Sequence, residues 1–116
     1  MIQGIHHFAV IVSSESSIEW YRKLGFEEFL RKERKYDTVV LLYGHGIQIE
    51  AFIDPTHPPR STPDPLGLRH LALRCDDIER TVEKLGAEAG PIMDDWIGEK
   101  FCFIADPDGN TVELHE

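Results

Sequence analysis

Histidine and glutamate recur in this chain at one fixed interval: 43 positions separate His7 from Glu50, and 43 separate His70 from Glu113. Two neutral imidazoles and two carboxylates supply the charge and donor hardness that a divalent first-row metal prefers. Each histidine is followed by an alternating apolar run and a helical pattern ending in Lys-Leu-Gly, at 23 to 25 and at 84 to 86. The chain therefore reads as one module written twice, with a candidate metal ligand near each end of each copy.

The elements that must position these residues follow from periodicity. Residues 5 to 12 (Ile-His-His-Phe-Ala-Val-Ile-Val) are rich in β-branched and aromatic types and predict a strand. Alternation sets His7, Ala9 and Ile11 on one face and Phe8, Val10 and Val12 on the other. His6 rivals His7 as a ligand, but it shares the bulky face of Phe8 and Val10, so the strand phase favours His7. Ser13-Ser14 offers a helix cap, and Ile18, Tyr21 and Leu24 fall at helical spacing until Gly25.

Three further strands are predicted near 26 to 32, 38 to 43 and 46 to 53, the last two joined by Gly44-His45-Gly46. In the third, Gln48, Glu50 and Phe52 alternate with Ile47, Ile49, Ala51 and Ile53. A glutamate among isoleucines is costly to bury unless it meets a cation, which makes Glu50 a ligand candidate on physical grounds.

The second module repeats this order. A strand over 68 to 75 sets His70, Ala72 and Arg74 opposite Leu71, Leu73 and Cys75. Asp76 or Asp77 caps a helix that turns Ile78, Val82 and Leu85 inward and stops at Gly86. Strands near 88 to 93 and 100 to 105 follow, then an Asp106-Pro-Asp-Gly109 turn, which lacks the spaced ligands of a calcium loop. In the last strand Thr111, Glu113 and His115 alternate with Val112 and Leu114.

Five of the seven prolines lie between Asp54 and Pro65, which excludes regular structure there. The expected organisation is a single domain of 116 residues: module one over about 4–53, a proline-rich linker over 54–66, and module two over about 67–116. A half-domain of this size buries too little apolar surface to stand alone, so the halves are expected to share a sheet system or to pair with a second copy.

A formal charge of −9 argues against nucleic acid, because the only basic cluster (Arg31, Lys32, Arg34, Lys35) is interleaved with acids and reads as a solvated strand edge or loop. No apolar run is long enough for a membrane span, and Met1-Ile-Gln-Gly-Ile leads into a strand rather than a signal sequence. A cytoplasmic location is expected. Cys75 and Cys102 fall in apolar strand patterns without metal-site spacing, and read as reduced, buried side chains. His45, His57 and His115 lie at a turn, in the linker and at the terminus, and are expected to be solvated.

With these residues the chain resembles the vicinal oxygen chelate superfamily, which includes glyoxalase I, methylmalonyl-CoA epimerase, extradiol dioxygenases and fosfomycin-resistance transferases. The resemblance rests on His-His-Phe-Ala-Val-Ile-Val at 6 to 12, Trp-Tyr-Arg-Lys-Leu-Gly-Phe at 20 to 26 and Ile-Gln-Ile-Glu-Ala-Phe at 47 to 52. It continues in Gly-Leu-Arg-His-Leu-Ala-Leu at 67 to 73 and Asp-Pro-Asp-Gly-Asn-Thr-Val-Glu-Leu at 106 to 114. It implies an α+β fold of two βαβββ modules forming a cupped barrel, often completed by a second chain, so a homodimer is expected.

The resemblance places the metal ligands on His7, Glu50, His70 and Glu113, with one divalent ion per site. Nickel or zinc is expected first, and cobalt, manganese and iron suit the same donors. A filled Glu50 position points to the glyoxalase and epimerase branch rather than to the dioxygenases. The implied activity is a metal-dependent lyase or isomerase of glyoxalase I type. It moves a proton through a metal-chelated enediolate on a hemithioacetal or 2-oxo compound, with Glu113 as the base and Glu50 as its partner.

Arg74 and Gln48 share faces with His70 and Glu50 and are candidate substrate-binding residues; Lys100 is a weaker one. The substrate is a small molecule, with a thiol adduct compatible. One departure bears on the thiol: where bacterial glyoxalase I carries a basic residue on the first strand to grip glutathione, this chain has Ala9 and Ile11. The alternatives are a methylmalonyl-CoA epimerase-like isomerase and a non-catalytic small-molecule binding protein of the same superfamily.

Overall fold

A computed structural model describes residues 1–116 and divides into two compact units, Met1–Pro58 and Pro59–Glu116. The first unit runs β1 (Phe8–Val12), α1 (Glu15–Lys23), β2 (Glu27–Glu33), β3 (Thr38–Gly44) and β4 (Ile47–Ile53). Its four strands form one sheet in the order β1-β4-β3-β2, with β1 parallel to β4 and the other two pairings antiparallel. The parallel pair is closed by a connection through α1, β2 and β3, as the predicted βαβββ order requires.

The buried residues of α1 (Ser17, Ile18, Tyr21) and those of the sheet (Val12, Val40, Leu42, Ile49, Ala51), with Phe26, make the core of this unit. Burying a side chain of the Ile or Leu kind stabilises by about 1.5–3 kcal/mol, so this face fixes the register of the whole sheet. Ser14 caps α1, its hydroxyl accepting from the Ser16 amide at 3.3 Å, and Leu24 closes the far end. Gly25 then turns the chain with φ +103°, a conformation that favours glycine.

The second unit runs β5 (Leu71–Arg74), α2 (Ile78–Leu85), β6 (Met93–Asp94), β7 (Lys100–Ala105) and β8 (Thr111–His115). Its sheet order, β5-β8-β7-β6, repeats the first, with β5 parallel to β8. Asp77 caps α2 by accepting from the Arg80 amide at 2.9 Å, and Gly86 ends the helix in the left-handed region. Ile78 at the start of α2 is fully buried with Cys102, Ile104, Val112 and Leu114, and α2 lies nearest β7.

The α+β architecture of two βαβββ modules is therefore as expected, with local differences. The predicted strand near 88–93 shortens to β6, two residues long, preceded by one isolated bridge between Ala89 and Ile104. Pro91 between them has no amide hydrogen to donate to a ladder, which accounts for the interruption. The first strand of each module also starts later than expected, at Phe8 and at Leu71, which leaves His7 and His70 one residue before their strands. No helix or strand occurs between Ile53 and Leu71, in keeping with the prolines of that stretch.

Candidate functional site

The 43-residue interval has a direct structural cause. In module one Ala9 sits opposite Glu50 across the parallel pair, and in module two Ala72 sits opposite Glu113 in the same register. Because side chains alternate, the histidine two residues before each alanine lies on the glutamate's face of the sheet. The pairs meet: His7 Nε2 is 3.2 Å from Glu50 Oε2, and His70 Nε2 is 3.8 Å from Glu113 Oε1.

The surroundings of the two pairs differ. The His7 and Glu50 side chains are 34% and 26% exposed; those of His70 and Glu113 are 20% and 16% exposed. His7 Nδ1 lies 2.8 Å from His6 Nδ1, and the two rings meet edge to face. His70 packs edge-on against Phe103, and its Nδ1 is buried without a hydrogen-bond partner. A buried ring nitrogen left unmatched costs about 1–3 kcal/mol, an expense not expected of a residue whose only task is packing.

One of the two pairs has the separation of two ligands on a single divalent cation. Two ligands each held at about 2.1 Å from one metal, at tetrahedral or octahedral angles, stand about 3.0–3.4 Å apart. The His7–Glu50 separation falls inside that range and the His70–Glu113 separation just outside it. Both sets mix imidazole nitrogen with carboxylate oxygen, as such ions prefer.

Gln48 is half-buried, two residues before Glu50 on the same strand face, and pairs with Tyr43 of β3. Arg74 follows His70 on its face, is exposed, and lies opposite His115. Lys100 begins β7, exposed and opposite Asp94. Cys102 is buried as expected, Cys75 only half-buried, and burial pushes both thiols up, away from the reactive thiolate.

Three features escaped the sequence reading. The Arg34 guanidinium stands 5.5 Å from the centre of the Phe52 ring, on the strand face that also carries Glu50, while holding Asp37 through two bonds of 2.6 Å. His45, expected to be solvated, donates from Nε2 to the Leu24 carbonyl at 2.6 Å and so closes the end of α1. His45 reaches this position through a left-handed backbone (φ 52°), which its place between Gly44 and Gly46 makes accessible.

His115, also expected to be solvated, gathers with Asp95 and Glu99; the donor atoms of all three lie within 4.8 Å of one another. Its Nε2 faces Asp95 at 3.3 Å and Glu99 at 3.5 Å, while Nδ1 donates to the Glu116 carbonyl at 2.8 Å. That carbonyl, then Asp95, raises the imidazole above its ordinary value despite some desolvation. Burial opposes charge on Asp95, but the amides of Glu99 and Ile97 outweigh it and hold the carboxyl low. His115 thus bridges two carboxylates of the same group through one ring nitrogen. Asp95 and His115 are 20 residues apart, and the alternation of His115 with Glu113 along β8 was the one sequence signal that it shares the glutamate's face.

Comparison with known proteins agrees with the duplicated architecture. A family profile described as the Glyoxalase/Bleomycin resistance protein/Dioxygenase superfamily matches residues 4–114. The chain is 38% identical over 126 aligned positions to YwkD of Bacillus subtilis strain 168, covering 100% of this chain and 98% of that protein. A crystal structure of a glyoxalase family protein from Enterococcus faecalis superposes with a TM-score of 0.90 at 36% identity, covering 98% of both chains. Lactoylglutathione lyase from Agrobacterium tumefaciens shares the fold at 22% identity, with a TM-score of 0.71 over 100% of this chain and 95% of the other. A profile match of this extent, with relatives above 30% identity along the full chain, settles the family: the protein belongs to the glyoxalase/bleomycin resistance protein/dioxygenase superfamily.

Proposed function

We propose that this protein is a metal-dependent lyase or isomerase of glyoxalase I type. His7, Glu50, His70 and Glu113 would together hold one divalent cation, nickel or zinc first, with cobalt, manganese and iron as the other ions the donors suit. The observation that carries the reading is the repetition, in identical strand register, of a histidine facing a glutamate. One such pair is ordinary on a sheet surface. Two in the same register, in a superfamily that includes metal-dependent enzymes, is a donor set.

The cation, when bound, would draw electron density from two adjacent substrate oxygens and so acidify the neighbouring C–H. Glu113 is the base that takes this proton, and Glu50 is its partner. In a hemithioacetal the proton leaves the carbon that bears sulfur and hydroxyl and returns to the adjacent former carbonyl carbon. The product is a 2-hydroxyacyl thioester, with no atom gained or lost. Gln48 and Arg74 are the proposed contacts for the substrate's polar and anionic groups. Ala9 and Ile11, where a cation would grip a carboxylate, favour a thiol other than glutathione or a thiol-free 2-oxo compound. The reading includes a homodimer in the cytoplasm; no helix is long and apolar enough to cross a membrane.

The deciding experiment strips the protein with a chelator, restores Ni, Co, Mn or Zn singly, and follows isomerisation of the methylglyoxal hemithioacetals of glutathione and of smaller thiols. Activity that returns with metal and is lost in Glu113→Gln supports the reading. Stoichiometric metal uptake without turnover of any of these would favour the epimerase, assayed on a branched acyl thioester by proton exchange with solvent, or a binding role.

A further inference from the structure

We propose that His6 is a positioning residue for His7: its ring bond to His7 Nδ1 holds the ring in either tautomer, so that Nε2, which faces Glu50, can be given over to a cation without loss of that bond. The inference rests on the cation reading above and concerns one side chain which that reading does not use. A neutral imidazole carries one proton on two nitrogens, so it offers Nε2 as a ligand only when Nδ1 holds the hydrogen. That hydrogen is normally fixed by an acceptor, which orients the ring and strengthens its basicity. For His7 the group next to Nδ1 is the ring of His6, at 2.8 Å.

A bond between two ring nitrogens contains a single proton, which couples the two tautomers. With His7 protonated on Nε2, that nitrogen donates to Glu50 and His6 Nδ1 donates to His7. With His7 Nε2 given over to a cation, His7 Nδ1 donates to His6 and the His6 proton moves to its own Nε2. His6 is exposed, so water can carry that exchange. The 2.8 Å bond survives both states, and metal capture costs His7 no hydrogen bond. Module two lacks the device: Arg69 occupies the place before His70 and turns to Asp64 at 3.6 Å, while His70 Nδ1 stays unmatched.

The experiment uses the full chain, stripped of metal, titrated with Zn(II) by calorimetry in wild type, His6→Phe, His6→Asn and His7→Phe. Phenylalanine keeps a ring and removes both nitrogens; the asparagine carbonyl oxygen approximates Nδ1 as an acceptor. The expected result is Zn(II) binding weakened about tenfold or more in His6→Phe and within about threefold of wild type in His6→Asn, with stoichiometry unchanged. Nitrogen-15 shifts of the His7 ring in the metal-free protein give a readout independent of activity: His6→Asn should move His7 toward the Nδ1-protonated form, and His6→Phe should not. Equal affinity and equal ring shifts in all His6 variants would overturn the inference while leaving the cation reading intact. A change of stoichiometry in His6→Phe would overturn it differently, by making His6 a ligand. If wild type takes up no Zn(II), or His7→Phe binds it as well as wild type, it is the cation reading that fails, and the inference with it.

Discussion

The two modules repeat a backbone and not an environment. Ala9 opposes Glu50 as Ala72 opposes Glu113, yet the other neighbour of Glu50 is Leu41 and that of Glu113 is Phe103. The first pair is wetter and its histidine is backed by His6; the second is drier, with an aromatic ring against a histidine whose Nδ1 has no partner. The strand register, which fixes where each histidine and glutamate lie, is common to the two modules, and the shells around them differ. On the proposed reading, asymmetric surroundings divide labour between the two pairs: one mainly holds the cation, and the other, less exposed to water, also moves a proton.

The sharpest way to break this comparison is to neutralise each glutamate without changing its size. Glu113→Gln should lower metal-restored turnover by about 10³-fold, the range expected for removing a general base, and Glu50→Gln by less, with its larger effect on metal affinity. Kcat measured at saturating metal separates the two effects. Equal losses in kcat would abolish the proposed division of labour.

The turns after the helices give a second contrast, in stability. A Cβ on Gly44 would overlap the Gly25 carbonyl oxygen, which belongs to backbone that cannot step aside. Gly44→Ala should therefore destabilise by about 2–3 kcal/mol, read as a shift of the urea midpoint. Gly86, which ends α2 at φ +61°, has open space around it, so Gly86→Ala meets only left-handed strain, about 1–2 kcal/mol. The reverse order would mean that the close approach of the β3–β4 turn to the end of α1 is not what holds module one.

Much of this was legible in the chain. The equal intervals anticipated equal registers, because a one-residue slip would have turned Glu50 or Glu113 into the opposite face. Gly25 and Gly86 marked the helix ends, and the N-caps fell on Ser14 and Asp77, each one of the two adjacent candidates, since caps are local chemistry. What was not legible depended on pairings distant in sequence. His115 finds Asp95 and Glu99 only once the β6–β7 hairpin has placed its turn beside the end of β8. His45 reaches Leu24 only through a left-handed turn, and Arg34 stands over Phe52 only because the β2–β3 turn folds back. In each case the residue was visible, and its partner lay across a turn whose geometry periodicity does not encode.

The smallest expected effect concerns how the two modules hold their charges as pH falls. In module one, hydrogen bonds from Arg34 hold the Asp37 carboxyl below its ordinary range and those from Arg31 do the same for Glu15; just beyond it, Thr56 does so for Asp54. In module two Asp95 is held low, by backbone amides that outweigh its partial burial. A carboxyl whose pKa is depressed in the folded state contributes stability that is present above its unfolded value. That contribution is lost as pH falls through the folded one, so the window lies below about pH 4. Solvent screening keeps each contribution modest. Amide exchange followed between pH 5 and 3, corrected for intrinsic rates, should show the β2–β3 amides losing protection before those of β7–β8. Asp37→Asn should flatten that loss around Arg34, whose amide donates to the Asp37 carbonyl at 2.8 Å. Simultaneous loss in both sheets would mean that the modules respond to acid as one cooperative unit, and that their different ionic ties are not what sets the order.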